Sequence, residues 1–274
     1  MVWVRCGQRW VAKVEAIVFD KDGTLADSRG LLHRSALARA TACATAACTE
    51  TACTKTAGAK TAGPKPAEAE PALRQALLNC FGVTAQGIDP DGLMAAGTRA
   101  ANQQAAVAVL TQAGHAPDRA TALVAASFAA VNTAPQGKAA ATPPFAGTAA
   151  MLERLHQSPL KLGVLSSDSP AYVEDFLRHY DLMPWVHAWQ GTGPQDVPKP
   201  DPALLRGMCD RIGVLPQHTL IVGDSWADQA LADQAGAAGF ISVSEPWGRP
   251  PLPGAQLVLR HWHDLAVSLT PPAA

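Results

Sequence analysis

Three short apolar runs along the chain each stop abruptly at polar residues: 16–19 before Asp20, 162–165 before Ser166, and 219–222 before Gly223 and Asp224. A continuous apolar run of four or five residues is what a strand needs when helices cover both faces of a parallel sheet. Residues 239–243 form a fourth such run. Helix patterns lie between and after these runs. Ser169 followed by Pro170 reads as an N-cap and a first helical residue, and Val173, Phe176, Leu177 and Tyr180 then recur at i, i+3, i+4 and i+7 along one face. Asp201-Pro202 repeats the start signal, and Gly213 supplies a stop. A further helix is predicted over 226–235, ending at Gly236. Strands alternating with helices predict an α/β fold, a doubly wound parallel sheet of Rossmann-like type with right-handed crossovers.

Residues 28–144 break this alternation. They carry helical patterns only, at 31–44, 71–81, 98–113 and 117–131, and close on Thr142-Pro143-Pro144. An all-helical block after the first strand predicts a second domain on two linkers: a discontinuous core of 1–28 and 145–274, and a helical domain of 29–144. Inside that block, residues 41–65 read TACAT, AACTE, TACTK, TAGAK, TAGPK, with Cys43, Cys48 and Cys53 on the same five-residue period. That spacing matches no usual zinc pattern, and a solenoid needs an apolar core that a Thr/Ala/Gly/Lys tract lacks. The repeat is therefore expected to be a flexible, low-complexity loop.

Composition narrows the function classes. The 274 residues carry a formal net charge of −1, with 48% hydrophobic and 16% charged residues. Such a balance argues against nucleic acid or an anionic membrane as the main partner, and leaves room for a local basic pocket. No run approaches the roughly 18 apolar residues of a membrane span. Residues 1–13 have scattered charges and no apolar segment of the secretory kind. The six cysteines lack paired spacings, so a reducing cytoplasm is the expected compartment.

The strongest chemical signal is Asp20-Lys21-Asp22-Gly23-Thr24, directly after the first apolar run. Strand ends of an open parallel sheet face the crevice where ligands bind. Two carboxylates at i and i+2 can converge there, one as nucleophile and one as general acid and base, with Gly23 allowing a sharp turn. A plain Asx/Gly turn is the competing reading. A calcium loop fails, because it needs Gly at its sixth position and Glu at its twelfth, where this chain has Leu31.

A second signal, Gly223-Asp224-Ser225-Trp226-Ala227-Asp228, again follows an apolar run. Asp224 and Asp228 lie one helical turn apart, and with Asp20 they make a carboxylate cluster that a cation would neutralise. Hard oxygen ligands of this kind favour Mg²⁺; the bland alternative is an N-cap and a first-turn Asp at a helix start. Lys199, held between Pro198 and Pro200, is a candidate cation for phosphate or a surface lysine. Ser166-Ser167-Asp168 offers a hydroxyl and backbone N–H groups at another strand end.

DKDGT, then Ser166, then Lys199 in KPDP, then GDSWAD, in this order, resembles the haloacid dehalogenase-like hydrolase superfamily. The helical insertion resembles the α-helical cap of its phosphoglycolate phosphatase-like branch. The resemblance implies that Asp20 attacks phosphorus to give an aspartyl-phosphate, and that Asp22 protonates the leaving oxygen and then activates water. It implies that Ser166, Ser167 and Lys199, with Gly23 and Thr24 of the first loop, hold the phosphoryl group. It implies Mg²⁺ on Asp20, the Asp22 backbone carbonyl, Asp224 and Asp228. Dehalogenases of the superfamily lack an acid at the position of Asp22, since halide leaves without a proton; Asp22 argues for a phosphate ester. The expected activity is a Mg²⁺-dependent phosphatase acting on a small phosphorylated metabolite, by a monomer or homodimer. A phosphosugar mutase and a non-catalytic binding protein on the same fold are the rivals.

Weaker candidates are Arg29, His33, Arg99, Asn102 and Gln103, polar residues in the helical block. Arg99 is the first choice for a substrate carboxylate. His261-Trp262-His263 is expected to be surface, and Cys6, Cys80 and Cys209 to be buried or incidental thiols.

Overall fold

The computed structural model describes residues 1–56, 66–131, 138–193, 195–244, 248 and 250–270. The chain opens on a hairpin, β1 (Val2–Cys6) and β2 (Arg9–Val14), and runs into β3 (Ala16–Phe19), whose four residues are all buried. A helical stretch follows: α1 (Arg29–Thr56), α2 (Pro66–Cys80), the two-residue strands β4 (Val83–Thr84) and β5 (Gly87–Ile88), α3 (Leu93–Ala96), α4 (Arg99–Gln112) and α5 (Pro117–Val131). Alternation then sets in with α6 (Thr148–His156), β6 (Lys161–Leu165), α7 (Pro170–His179), β7 (Ala188–Gln190), α8 (Pro202–Ile212), β8 (Thr219–Gly223), α9 (Trp226–Ala235) and β9 (Gly239–Val243). Strands β10 (Val258–Leu259) and β11 (Leu265–Ser268) close the chain. Among the described residues no helix is long and apolar enough to cross a membrane.

The main sheet has the order β10-β9-β8-β3-β6-β7 and every pair is parallel, as continuous apolar runs require. Its registers set the site. Phe19 stands opposite both Val164 and Val222, so Asp20, Ser166 and Asp224 all leave the same edge of the sheet. The chain fills one side of β3 with β6 and β7, then crosses to β8, which makes β3 the switch point where ligands bind in such sheets. Two apolar layers cover the sheet. One holds Phe19, Met151, Leu155, Phe176 and Trp262, the other Val18, Leu205, Met208 and Leu231.

By contacts the chain forms two units, Met1–Ser28 with Gly137–Ala274, and Arg29–Gln136. The boundary falls before the expected Pro144. Residues 139–144 belong with the sheet: Asp27 N–H donates to the Pro143 carbonyl, and the Tyr180 hydroxyl donates to the Ala139 carbonyl.

The repeat was expected to be a loop over 41–65, and through Thr56 it is helix instead, the second half of α1. Residues 57–65 lie outside the described residues, and Cys53 is placed in the helix without a described side chain. Alanine is the best helix former, and here its small side chain is also the packing surface. Ala36, Ala40, Cys43, Ala44 and Ala47 are buried against Leu77, Phe81, Val124 and Phe128. Phe81 and Phe128 meet edge to face at 6.1 Å between ring centres. The tract thus has a core, supplied by its partners.

The N-terminal residues, assigned no element by the hydrophobic pattern, pair with the C-terminal end. β1 is the middle strand of the antiparallel sheet β11-β1-β2, with Val2, Val4 and Cys6 turned into the core and Trp3 and Arg5 half-buried. Trp262 is buried against Phe19, whereas His261 and His263 flank it exposed, as expected of them. Cys6, Cys43, Cys48 and Cys209 are buried free thiols and Cys80 is half-buried.

Candidate functional site

Asp20 is the first residue past β3, and its N–H donates to the Val222 carbonyl across the sheet. The loop it begins is wound around one acceptor: the N–H groups of Thr24, Leu25 and Ala26 all point at the Lys21 carbonyl. Gly23 has φ +88°, open to glycine and strained for other residues. A Cβ on Gly23 would also lie 2.7 Å from Cγ of Asp224 and 2.9 Å from its Oδ1. The loop backbone therefore lies directly against that carboxylate. Gly23→Ala should cost about 1–2 kcal/mol from its backbone alone, lowering the melting temperature and displacing Asp224. The same substitution at the half-buried Gly7, φ +60° with nothing near its Cβ, should leave activity intact.

Asp224 and Asp228 are set by the start of α9. Ser225 caps the helix, accepting from the Asp228 N–H, and Asp228 returns an oxygen to the Ser225 N–H, a capping box. The Ser225 hydroxyl also donates to Asp228 Oδ2 at 2.6 Å. Gly223 makes room, since a Cβ there would sit 2.6 Å from Cβ of Asp228.

Lys199 ties the two loops together. Its ammonium donates to Asp20 Oδ1 at 2.6 Å and to Asp228 Oδ1 at 2.8 Å, and its side chain is 4% exposed. Burial opposes its charge, but the attraction of Asp20 and Asp228 outweighs burial and holds its pKa above the usual lysine value. Burial pushes the Asp20 carboxyl up to about 7, against the attraction of Lys199 and with the repulsion of Asp228 and Asp22.

Oxygens of Asp20, Asp224 and Asp228 lie within 4.8 Å of one another, all on buried residues. Three carboxylates face one ammonium there, an excess of buried negative charge that a divalent cation would offset. Carboxylate oxygens suit a hard cation, so the residues present fit a metal of that class. Asp22, whose expected metal contact is its backbone carbonyl, turns its side chain to Lys21 at 2.6 Å.

The other expected residues divide. Ser166 is buried, and its Oγ accepts from the Asp168 N–H at 3.0 Å. Ser167 beside it is exposed. Thr24, expected to orient the first loop and to help hold the phosphoryl group, is fully buried and donates to Asp224 Oδ1 at 3.3 Å, an orienting contact within the protein. Gly23 likewise serves the approach of Asp224. Arg99 is exposed in the first turn of α4, in the helical unit. Asn102 is buried there and donates to the Leu93 and Thr98 carbonyls, a fold contact.

Sequence reasoning passed over Lys21, Asp168 and Lys138. Lys21 pairs with both Asp22 and Asp168, and Lys138 pairs with Asp168. Burial works against the Asp168 charge, yet the two lysines hold its carboxyl below the usual carboxylate range. Burial raises the Asp22 carboxyl, against the pull of Lys21. The DKD triplet was the one available signal for Lys21; Lys138 has none in its neighbourhood.

The parallel sheet thus carries a carboxylate cluster at its switch point, with a buried lysine across it. The family model described as haloacid dehalogenase-like hydrolase matches residues 14–236, and the chain belongs to that family. A phosphoglycolate phosphatase of Rhodospirillum rubrum is 32% identical over 143 residues, covering 52% of this chain and 58% of that protein. One of Salmonella typhimurium is 32% identical over 104 residues, covering 38% and 40%. The matched stretch thus spans about three-fifths or less of these relatives' length. A crystal structure of a predicted phosphoglycolate phosphatase from Haemophilus somnus 129PT superposes with a TM-score of 0.58 at 18% identity, over 92% of this chain and 96% of that one, a likeness of fold.

Proposed function

We propose that this protein is a Mg²⁺-dependent phosphatase that hydrolyses a small phosphate monoester through an aspartyl-phosphate on Asp20. The observation that carries the reading is the cluster itself: three carboxylates within 4.8 Å, with Lys199 bridging Asp20 to Asp228. Asp20 attacks phosphorus, the P–O bond to the leaving group breaks, and Asp22 gives that oxygen a proton. Asp22 then takes a proton from water as water attacks phosphorus, releasing inorganic phosphate and restoring the Asp20 carboxylate. Ser166, Ser167 and Lys199 hold the phosphoryl oxygens. Asp20, Asp224, Asp228 and the Asp22 carbonyl would hold Mg²⁺, which neutralises phosphoryl charge and lowers repulsion toward the nucleophile. Transfer of this kind depends mainly on positioning and electrostatics, which buried and mutually bonded residues provide.

The partner in this reading is a soluble phosphorylated metabolite, neither nucleic acid nor membrane, in keeping with a net charge of −1. The cytoplasm is the compartment, in keeping with the free thiols Cys6, Cys43, Cys48, Cys80 and Cys209. Phosphoglycolate, named in the relatives, is the first ester to assay, within a panel of phosphorylated metabolites. Release of inorganic phosphate without any bisphosphate activator supports the phosphatase. Isomerised sugar phosphate that appears only with such an activator would identify a mutase instead.

A further inference from the structure

Asp22 stands at the end of a chain of alternating charges: Asp22, Lys21, Asp168, Lys138. Lys21 is 1% exposed, and its ammonium lies 2.6 Å from Asp22 Oδ1 and 2.9 Å from Asp168 Oδ2. Lys138 pairs with the other oxygen of Asp168. Both ammonium groups sit over rings of α7, Lys21 at 5.4 Å from the centre of Phe176 and Lys138 at 4.4 Å from that of Tyr172. The Asp168 backbone is fastened as well, its N–H donating to Ser166 Oγ at 3.0 Å and its carbonyl accepting from the Thr192 N–H at 2.7 Å. Asp22 is the most exposed member at 31%, against 1% at Lys21, 17% at Asp168 and 16% at Lys138, so the acid is the end that opens outward.

Buried charges are costly to desolvate, and apolar residues in place of the whole linked set would often be as stable. Stability therefore does not explain Lys21. We propose that Lys21 is a positioning residue for Asp22, with Asp168, braced by Lys138, as the anchor that holds Lys21. The proposal rests on the phosphatase reading and deepens it. Lys21 holds one oxygen of a partly exposed carboxyl and so fixes the direction in which the group meets the leaving oxygen. Proton transfer needs that geometry within hydrogen-bond reach, and a misplacement of about 1 Å costs on the order of 100-fold. Lys21 touches no substrate in this role; the phosphoryl cation is Lys199.

The test compares two esters. An alkyl phosphate leaves as a strongly basic alkoxide and needs the proton of Asp22, whereas p-nitrophenyl phosphate leaves without one. Because kcat/KM reports only the steps through departure of the alcohol or phenol, it isolates the proton donation. Lys21→Met should lower kcat/KM for the alkyl ester about 10- to 100-fold and leave that for p-nitrophenyl phosphate nearly unchanged. Asp168→Asn, which keeps the shape of the anchor, should show the same selective loss and carries the test if Lys21→Met does not fold. Adding Lys21→Met to Asp22→Asn should produce no further selective loss, since both act through one proton. Equal losses on the two esters, or losses that multiply in the double variant, would overturn the positioning role while leaving the phosphatase reading in place. A wild-type protein that hydrolyses neither ester would bring down that reading, and the proposal with it.

Discussion

Asparagine at position 20 should reduce kcat for phosphate release at least about 10³-fold, because a carboxamide cannot form the covalent intermediate. The variant should still fold cooperatively. Asp20 is 8% exposed and its carboxyl is pushed up to about 7 by burial, so a neutral side chain of the same shape removes a charge the site holds at some cost. What it loses is half of the Lys199 bridge, at 2.6 Å, while the Asp228 half at 2.8 Å remains. A thermal melt beside the kinetics separates the two possibilities: a tenth or more of wild-type activity in a folded Asp20→Asn protein removes Asp20 from the role of nucleophile.

Chelation should have the second large effect. Treatment with EDTA should abolish turnover, and added Mg²⁺ should restore it. The same cluster gives a pH dependence with a definite sign. Asp20 must lose its proton to serve as a metal ligand, and protons compete for it as pH falls through about 7. The Mg²⁺ concentration that gives half activity should therefore rise as pH is lowered through that region and level off above it. Full activity in EDTA, measured after dialysis against a metal-free buffer, would exclude the cluster as a required metal site.

The parallel core was legible because its strands are buried on both faces: four-residue runs such as 16–19 have no polar member to obscure them. Start and stop signals were equally local, as at Asp201, whose side chain accepts from the Ala203 N–H, and at Gly213 with φ +72°. The first hairpin lay outside the pattern of continuous apolar runs, since β1 alternates buried and half-buried residues and, besides the adjacent β2, pairs with β11 from the far end of the chain. Its period-two burial is visible in retrospect, with Trp3 as the apolar interruption. The helical half of the repeat escaped for a related reason. Alanine, threonine and cysteine bring little apolar area of their own, and their burial depends on Leu77, Phe81 and Phe128 arriving from other helices.

The site shows the same division. Asp20, Lys199, Asp224 and Asp228 sit in short patterns whose spacing carries their chemistry, and the structure places Lys199 between Asp20 and Asp228. The chain from Asp22 to Lys138 has no such spacing. Lys21 alternates with two carboxylates, and it is 1% exposed because Asp168 meets it from the loop before α7 and Phe176 from α7 itself. The Thr24 hydroxyl meets Asp224 through the register of β3 against β8, a contact between distant segments that the DKDGT motif does not reveal.

The most direct measurement of the central claim is an acid quench of the Asp22→Asn protein reacting with p-nitrophenyl [³²P]phosphate. The good leaving group makes the proton of Asp22 unnecessary in the first step, while its loss as a base slows hydrolysis of the intermediate. Label should accumulate on the protein in step with p-nitrophenol release and be found, after proteolysis, on the peptide containing residue 20. Phenol release at an undiminished steady rate, with all label as free phosphate and none on that peptide, would contradict transfer through Asp20.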